Sequence, residues 1–463
     1  MKDDKFPSAY IQDMKLLLKD DYGDFISSYN EKNHKAVSVN TKKLSRDDLK
    51  KIIGNNYEDV PWSDSGIYTD SDDMMSKNPM YHTGAYYIQE PSAMAPANYL
   101  DVQKGMKVLD MCASPGGKTF QISQKLSDED LLISNDINTN RILPLLRNIE
   151  YYGLRNVMIT NENQENISKN FLSFFDRILL DAPCSGEGMF RKDKKLIPSY
   201  ERSRKETVEI QKDLLEKAAL MLKVGGKLLY STCTFNTDEN EKNILNFLSK
   251  HSEFELIDIP KKNGMMSFDF LKESARFFPH KTKSEGHFLC LMYKKSENEK
   301  NIFEETDLKS ESYIDSKYEK KKYLDRKKLP KEYTEFEKKF LNCKLEGNFF
   351  MQNNSLYLEI FDKILKYKIR IARNGLYLGD LKNNEFVISS ALIRYLKSKD
   401  FQYTINFGLN DERVIKYIKG ETLIMDGIKD GDYIVCLEDY PIGLVRAKNS
   451  KLKNMYNKNW RIM

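Results

Sequence analysis

Between residues 107 and 293, short apolar runs alternate with stretches of helical period, and this alternation constrains the fold more than any other feature of the chain. The runs 108–111, 131–136, 156–160, 176–181, 227–233 and 286–293 read as strands; 141–152, 207–222 and 238–250 carry the spacing of helices, as does the stretch from Lys118 onward. Run 176–181 is apolar almost throughout, as suits a parallel strand covered on both faces. Strand–helix alternation of this kind predicts an α/β, doubly wound parallel sheet whose ligands sit at the carboxyl ends of the strands.

The first strand breaks into Cys112-Ala113-Ser114-Pro115-Gly116-Gly117-Lys118. A strand, a glycine loop and a helix start present backbone N–H groups to a ligand, and glycine permits close approach. A P-loop would need glycine where Cys112 stands. A dinucleotide fingerprint would need glycines within Ala113-Ser114-Pro115. An adenosine-type cofactor held without phosphates needs an acid at the end of the next strand, and Asp136 supplies one. An ordinary strand-to-helix turn stays open beside that reading.

A chain of 463 residues is long enough for two to four domains. Its 40% apolar and 31% charged content permits folded cores. No apolar run approaches the ~18 residues of a membrane span. Met1-Lys2-Asp3-Asp4-Lys5 lacks a signal-peptide stretch, so a cytoplasmic location is expected. The six cysteines form no C-x-x-C pair, which predicts free thiols in a reducing compartment rather than disulfides or a metal site. Net charge is only +5, so nucleic-acid contact would have to come from local basic patches.

Residues 1–95 read as a small N-terminal α/β module, with helices over 8–19 and 46–53 and strands over 36–40 and 86–91. Tyr86 and Tyr87 suit either base stacking or packing. Residues 296–332 form a charged linker by composition. Residues 333–463 read as one or two mainly β modules, ending in a basic stretch that runs from Arg446 to Arg461. These end regions are expected to contribute RNA affinity, with cofactor affinity independent of 333–463.

Two cysteines follow strands: Cys184, in Asp181-Ala182-Pro183-Cys184, and Cys233, in Ser231-Thr232-Cys233. In a doubly wound sheet both lie on the edge that carries the glycine loop. A lone buried cysteine usually serves as a small hydrophobe; two on a cofactor edge favour chemistry.

These three stretches, with Asn240-Glu241 behind the second cysteine, resemble the Nol/Nop/Sun family of RNA cytosine-5 methyltransferases. Pro441-Ile442-Gly443-Leu444-Val445-Arg446 extends the resemblance to the bacterial RsmF-type branch. The resemblance implies a Rossmann-like class I methyltransferase domain over 96–295, an N-terminal RNA-recognition module, and a C-terminal RNA-binding region that ends in a PUA-like module. It implies S-adenosyl-L-methionine as cofactor and ribosomal RNA or a ribosomal subunit as partner, with no membrane and no obligate protein partner. By the same resemblance Cys233 attacks the base, Cys184 assists release and Asp181 contacts the cytosine or the cofactor. Cys112, Ala113, Ser114, Pro115, Gly116, Gly117 and Lys118 line the methionine end of the cofactor, Asp136 takes the ribose, and Arg141 matches a family position. Where the family places an aspartate near the adenine, this chain has Asn163, with Glu162 beside it as the alternative contact. The competing functions are a transfer-RNA cytosine-5 methyltransferase and an inactive RNA-binding assembly factor.

Overall fold

In the computed structural model, the described residues are 5–54, 57–70, 74–296, 324–360 and 368–462. Most of the expected linker, 297–323, lies outside them.

The chain opens with α1 (Ser8–Leu18) and α2 (Tyr22–Ser28), then β1 (Lys35–Val39), α3 (Arg46–Ile53), β2 (Gly66–Thr69) and β3 (Tyr86–Gln89). The three strands form an antiparallel sheet in the order β2-β1-β3. Ser45 caps α3 by accepting the Asp48 N–H, and Gly54 closes it at φ +78°. Tyr10 and Phe25 of the first two helices, with Tyr29 just past α2, share one core with Phe190, Tyr200, Phe235 and Phe278. The N-terminal helices thus pack on the segments that follow Cys184 and Cys233. Tyr86 is fully buried with its hydroxyl on the Met75 carbonyl, and Tyr87 stacks on Phe120, so both tyrosines pack rather than wait for a base.

The central sheet uses β4 (Lys107–Asp110), β5 (Leu131–Asn135), β6 (Val157–Thr160), β7 (Phe175–Asp181), β8 (Leu222–Thr232), β9 (Phe254–Ile257), β10 (Ala275–Phe277) and β11 (His287–Lys294). Strands β6-β5-β4-β7-β8 run parallel in that order; β11 adds antiparallel to β8 and pairs with both β9 and β10. Helices α4 (Ala95–Tyr99), α5 (Gly117–Lys125), α6 (Thr139–Tyr152), α7 (Gln164–Asn170), α8 (Tyr200–Met221) and α9 (Glu241–Lys250) accompany it. Leu109, Ile133, Ile178, Leu180 and Leu228 are wholly buried in one of its cores. Each side chain of that size contributes roughly 1.5–3 kcal/mol on burial, which is why the apolar runs could be read as central strands. Helix α8 begins at Tyr200, earlier than its apolar period suggested, because its first turns carry exposed polar residues.

Beyond the charged stretch come a four-stranded sheet between residues 348 and 388 and a five-stranded sheet between 404 and 454. A strand at Ile371–Asn374 joins neither: it pairs antiparallel with β6 and extends the central sheet. Asn161 N–H to the Arg370 carbonyl (3.0 Å) and Gly375 N–H to the Val157 carbonyl (3.1 Å) flank this pairing. No described helix is long and apolar enough to cross a membrane.

Candidate active site

The glycine loop leaves β4 across its neighbours: Met111 N–H donates to the Leu179 carbonyl (2.9 Å) and Ala113 N–H to that of Asn135 (2.8 Å). Gly116 sits at φ +107°, and a Cβ there would lie 2.8 Å from Leu145 Cδ1. Only glycine fits, and the chain turns directly into α5 at Gly117. Ser114 Oγ donates to the Arg141 carbonyl (2.6 Å) while Arg141 donates back to the Ser114 carbonyl (2.8 Å), so Arg141 holds the loop against α6.

Asp136, at the end of β5, is 2% exposed. Its Oδ1 accepts the Asn138 N–H, but Oδ2 is buried without a hydrogen-bond partner, with Arg141 3.4 Å away. An orphaned buried carboxylate oxygen costs free energy, and a ribose diol would satisfy it; the cradle therefore fits an adenosine-type cofactor. Burial pushes the Asp110 carboxyl up to about 7, although Thr119 donates to it. Burial, with Asp110, Asp136 and Asp181 nearby, holds the Cys112 thiol far above its usual range, so Cys112 lines the site as an inert thiol.

Past β6, Asn163 caps α7 by accepting the Asn166 N–H (2.8 Å). Glu162 is buried and accepts the Arg370 N–H at 2.5 Å, from the segment that leads into the added strand. A residue of the C-terminal region thus fixes the carboxylate beside the expected adenine position. The sequence reading had no contact of this kind between 333–463 and the expected cofactor site. Arg370→Pro removes that N–H, and the variant is expected to bind S-adenosylmethionine roughly tenfold more weakly, about 1.4 kcal/mol. Unchanged affinity by calorimetry would show that the strand does not support the site.

The thiols are brought together by adjacent parallel strands whose register pairs Asp181 with Ser231. Cys184 Sγ and Cys233 Sγ lie 3.3 Å apart, both half-buried. Gly188 N–H donates to the Cys233 carbonyl (2.9 Å), and a Cβ on Gly188 would sit 2.8 Å from the Gly286 carbonyl oxygen, so the two loops meet backbone to backbone. Buried Glu239 collects the Ser185 N–H (3.0 Å), Thr207 Oγ1 (2.9 Å) and Gln211 Nε2 (2.8 Å), and Ser185 Oγ also donates to it. Glu187 accepts from Tyr200 OH (2.7 Å) and Phe235 N–H (3.0 Å), with burial pushing its carboxyl up to about 7. Asn240 ties Thr232 Oγ1 (2.6 Å) to the Thr234 carbonyl (2.9 Å), bracketing Cys233. The hydrogen bond with Cys233, then burial, holds the Cys184 thiol well above its usual range.

Asp181 stands beside this pair. Its carboxylate receives Lys118 Nζ (2.8 Å) and Ser231 Oγ (2.8 Å), with His287 Nε2 at 3.6 Å. Burial alone would raise it, but Lys118 and His287 hold it well below the usual carboxylate range. Burial opposes the Lys118 charge, yet the Asp181 carboxylate 2.8 Å away raises its pKa overall, so Lys118 stays an ammonium paired with Asp181. The site therefore gathers two thiols, an ionised carboxylate and a lysine at the mouth of the cofactor cradle. The geometry suits nucleophilic catalysis on a polar ring.

Sequence reading missed Glu187, Glu239 and His287. The first two are carboxylates that serve as internal hydrogen-bond hubs. Their one local signal is an acid within two residues of a glycine loop or helix start, which is common on surfaces as well.

Family models match the chain in four successive segments: the N-terminal domain of 16S rRNA methyltransferase RsmF over 6–91, 16S rRNA methyltransferase RsmB/F over 97–293, the RsmF rRNA methyltransferase first C-terminal domain over 335–396, and the methyltransferase RsmF PUA domain over 404–462. Ribosomal RNA small subunit methyltransferase F of Shewanella pealeana is 28% identical over 466 residues, covering 93% of this chain and 92% of its own. The protein of that name from Vibrio parahaemolyticus is 33% identical over 304 residues, 62% of this chain and 63% of its own. A crystal structure of a methyltransferase homolog protein from Pyrococcus horikoshii is 29% identical with a TM-score of 0.53, covering 62% of this chain and 100% of that one. The structure of NSun6 from Pyrococcus horikoshii with SFG shares the fold at 21% identity, TM-score 0.56, over 63% of this chain and 99% of that one. The matched segments follow one another from residue 6 to residue 462, and the chain belongs to the RsmB/F methyltransferase family, on its RsmF side.

Proposed function

We propose that this enzyme methylates C5 of a cytosine in small-subunit ribosomal RNA, in the cytoplasm, without an obligate protein partner. The observation that carries the reading is the 3.3 Å pair of thiols beside ionised Asp181. Cytosine C5 is a poor nucleophile until a thiolate adds to C6. Cys233 makes that addition, as the family resemblance implies. Asp181 accepts from the cytosine amino group and holds the ring in place. Bound S-adenosylmethionine supplies the methyl group to C5. The C5 proton then passes to a base, and the electron pair that held it expels Cys233 from C6. Cys184 keeps its proton, so it is suited to hydrogen-bonding the departing sulfur rather than attacking.

Residues 113–118 and Asp136 hold the cofactor, and Asn163 or Glu162 faces its adenine. Asp136→Ala is expected to weaken S-adenosylmethionine binding by about 1.5–3 kcal/mol per charge-assisted hydrogen bond lost, while ATP should not bind at all. Calorimetry that found tight ATP binding and no adenosylmethionine binding would overturn the cofactor assignment. The function itself is tested by mapping 5-methylcytosine in ribosomal and transfer RNA from cells with and without the protein. A lost mark confined to transfer RNA would replace the ribosomal substrate.

A further inference from the structure

An open recess of about 530 Å³ lies where three distant stretches of the chain meet, and the catalytic reading does not use it. Its lining includes Tyr81 from the N-terminal region, Leu143, Pro144, Arg147 and Asn148 from α6, and Trp460 from the last turn. Its volume is within the range of small-ligand sites. Among the described residues no acidic side chain lines it.

Leu143 is 66% exposed, and Pro144 beside it is exposed as well. Behind the aromatic wall, the buried guanidinium of Arg394 lies 4.2 Å from the Tyr151 ring centroid and 4.7 Å from that of Trp460. Its Nε and one terminal nitrogen have no hydrogen-bond partner. The wall is therefore apolar in surface and positive in field. At the rim, Arg147 is exposed and tied to the Asn459 carbonyl (2.9 Å), and Lys458 is exposed nearby in sequence. Asn148 donates to the Pro115 carbonyl (2.8 Å), which connects this face of α6 to the cofactor loop.

We propose that this recess holds one unpaired nucleotide of the RNA substrate, its base against half-buried Tyr81 and the exposed Leu143–Pro144 edge, bordered by the buried ring of Trp460, its phosphate on Arg147. The proposal rests on the RNA-methyltransferase reading and adds a subsite to it. A target cytosine must leave its stack to reach the thiols, and its strand needs another surface on which to place a neighbouring base. Aromatic side chains and an arginine, with no competing carboxylate, are the chemistry that single-stranded RNA takes.

Leu143→Asp and Arg147→Glu change exposed side chains outside the catalytic and cofactor groups. With a small-subunit ribosomal RNA transcript as substrate, each is expected to raise KM roughly five- to hundredfold, the worth of one stacked base. Calorimetric affinity for S-adenosylmethionine should be unchanged, and circular dichroism should confirm the fold. The chain has two tryptophans, and Trp62 is buried with its N–H on the Pro91 carbonyl. In a Trp62→Phe background, Trp460 emission should be quenched by the transcript, and less so after Leu143→Asp. A wild-type protein that methylates the transcript, with KM unchanged in both variants and Trp460 emission indifferent to RNA, would sink the subsite while leaving the function standing. A wild-type protein that methylates no RNA would sink the function instead.

Discussion

Cys233→Ala abolishes methyl transfer and forms no covalent RNA complex, whereas Cys184→Ala attacks, methylates and fails to let go. This is the expected result if Cys233 is the nucleophile. The readout is a protein–RNA band that survives denaturing electrophoresis, present for Cys184→Ala and absent for Cys233→Ala. The sulfur atoms are 3.3 Å apart, so proximity to the base does not separate their roles. The assignment of Cys233 as nucleophile comes from the family resemblance, while the hydrogen bond with Cys233 and burial push the Cys184 thiol up. DNA cytosine methyltransferases use the thiol of the Pro-Cys motif, and that mechanism predicts the opposite pattern. A stable adduct with Cys233→Ala and none with Cys184→Ala would exchange the two assignments.

The second large effect is on stability. Arg276 and Glu241 are wholly buried and joined by two hydrogen bonds of 2.6 Å, and Arg276 also donates to the Phe235 carbonyl (2.8 Å). Arg276→Met leaves the Glu241 carboxylate buried and alone, which is expected to cost about 3–5 kcal/mol. It also releases the backbone two residues beyond Cys233, so kcat should fall along with the denaturation midpoint. Removing both charges, in Arg276→Met with Glu241→Leu, should recover part of the stability, because no uncompensated charge remains. A single variant that lost less than about 1 kcal/mol would mean that water or a rearranged partner satisfies Glu241.

The added strand at Ile371–Asn374 ties the C-terminal region to the end of β6, and Arg370 bonds Glu162 there. If Glu162 lies at the adenine, Arg370→Pro is the variant that reads the effect of this tie on cofactor affinity.

What could be read without coordinates was local. The glycine loop, the acid at Asp136 and the central strands are each set by neighbours within a few residues. Apolar period, Pro and Gly punctuation and the length of each run determine them. The cysteines were placed on one sheet edge by the same logic, since parallel strands in a doubly wound sheet end on the same side. The register that brings their sulfurs to 3.3 Å was not legible, because it depends on how two loops stack through Gly188 and Gly286. Nor were the roles of Glu239, Glu187 and Arg276, since a buried charge is recognised by its partners and those partners are tens of residues away. The pairing of residues 371–374 with β6 spans more than 200 positions, and a short strand with one charged and one amide side chain carries no mark of the edge it will join. Sequence by itself determined the fold class, because short-range sterics and hydrophobic period suffice for it; the cofactor loop and the two thiols were singled out by the family resemblance that their motifs carry. Tertiary structure alone decided that the two sulfurs meet at 3.3 Å, what fixes Glu162, and where three remote segments leave a recess. Those outcomes depend on charge and contact between groups that the chain brings together only when it is folded.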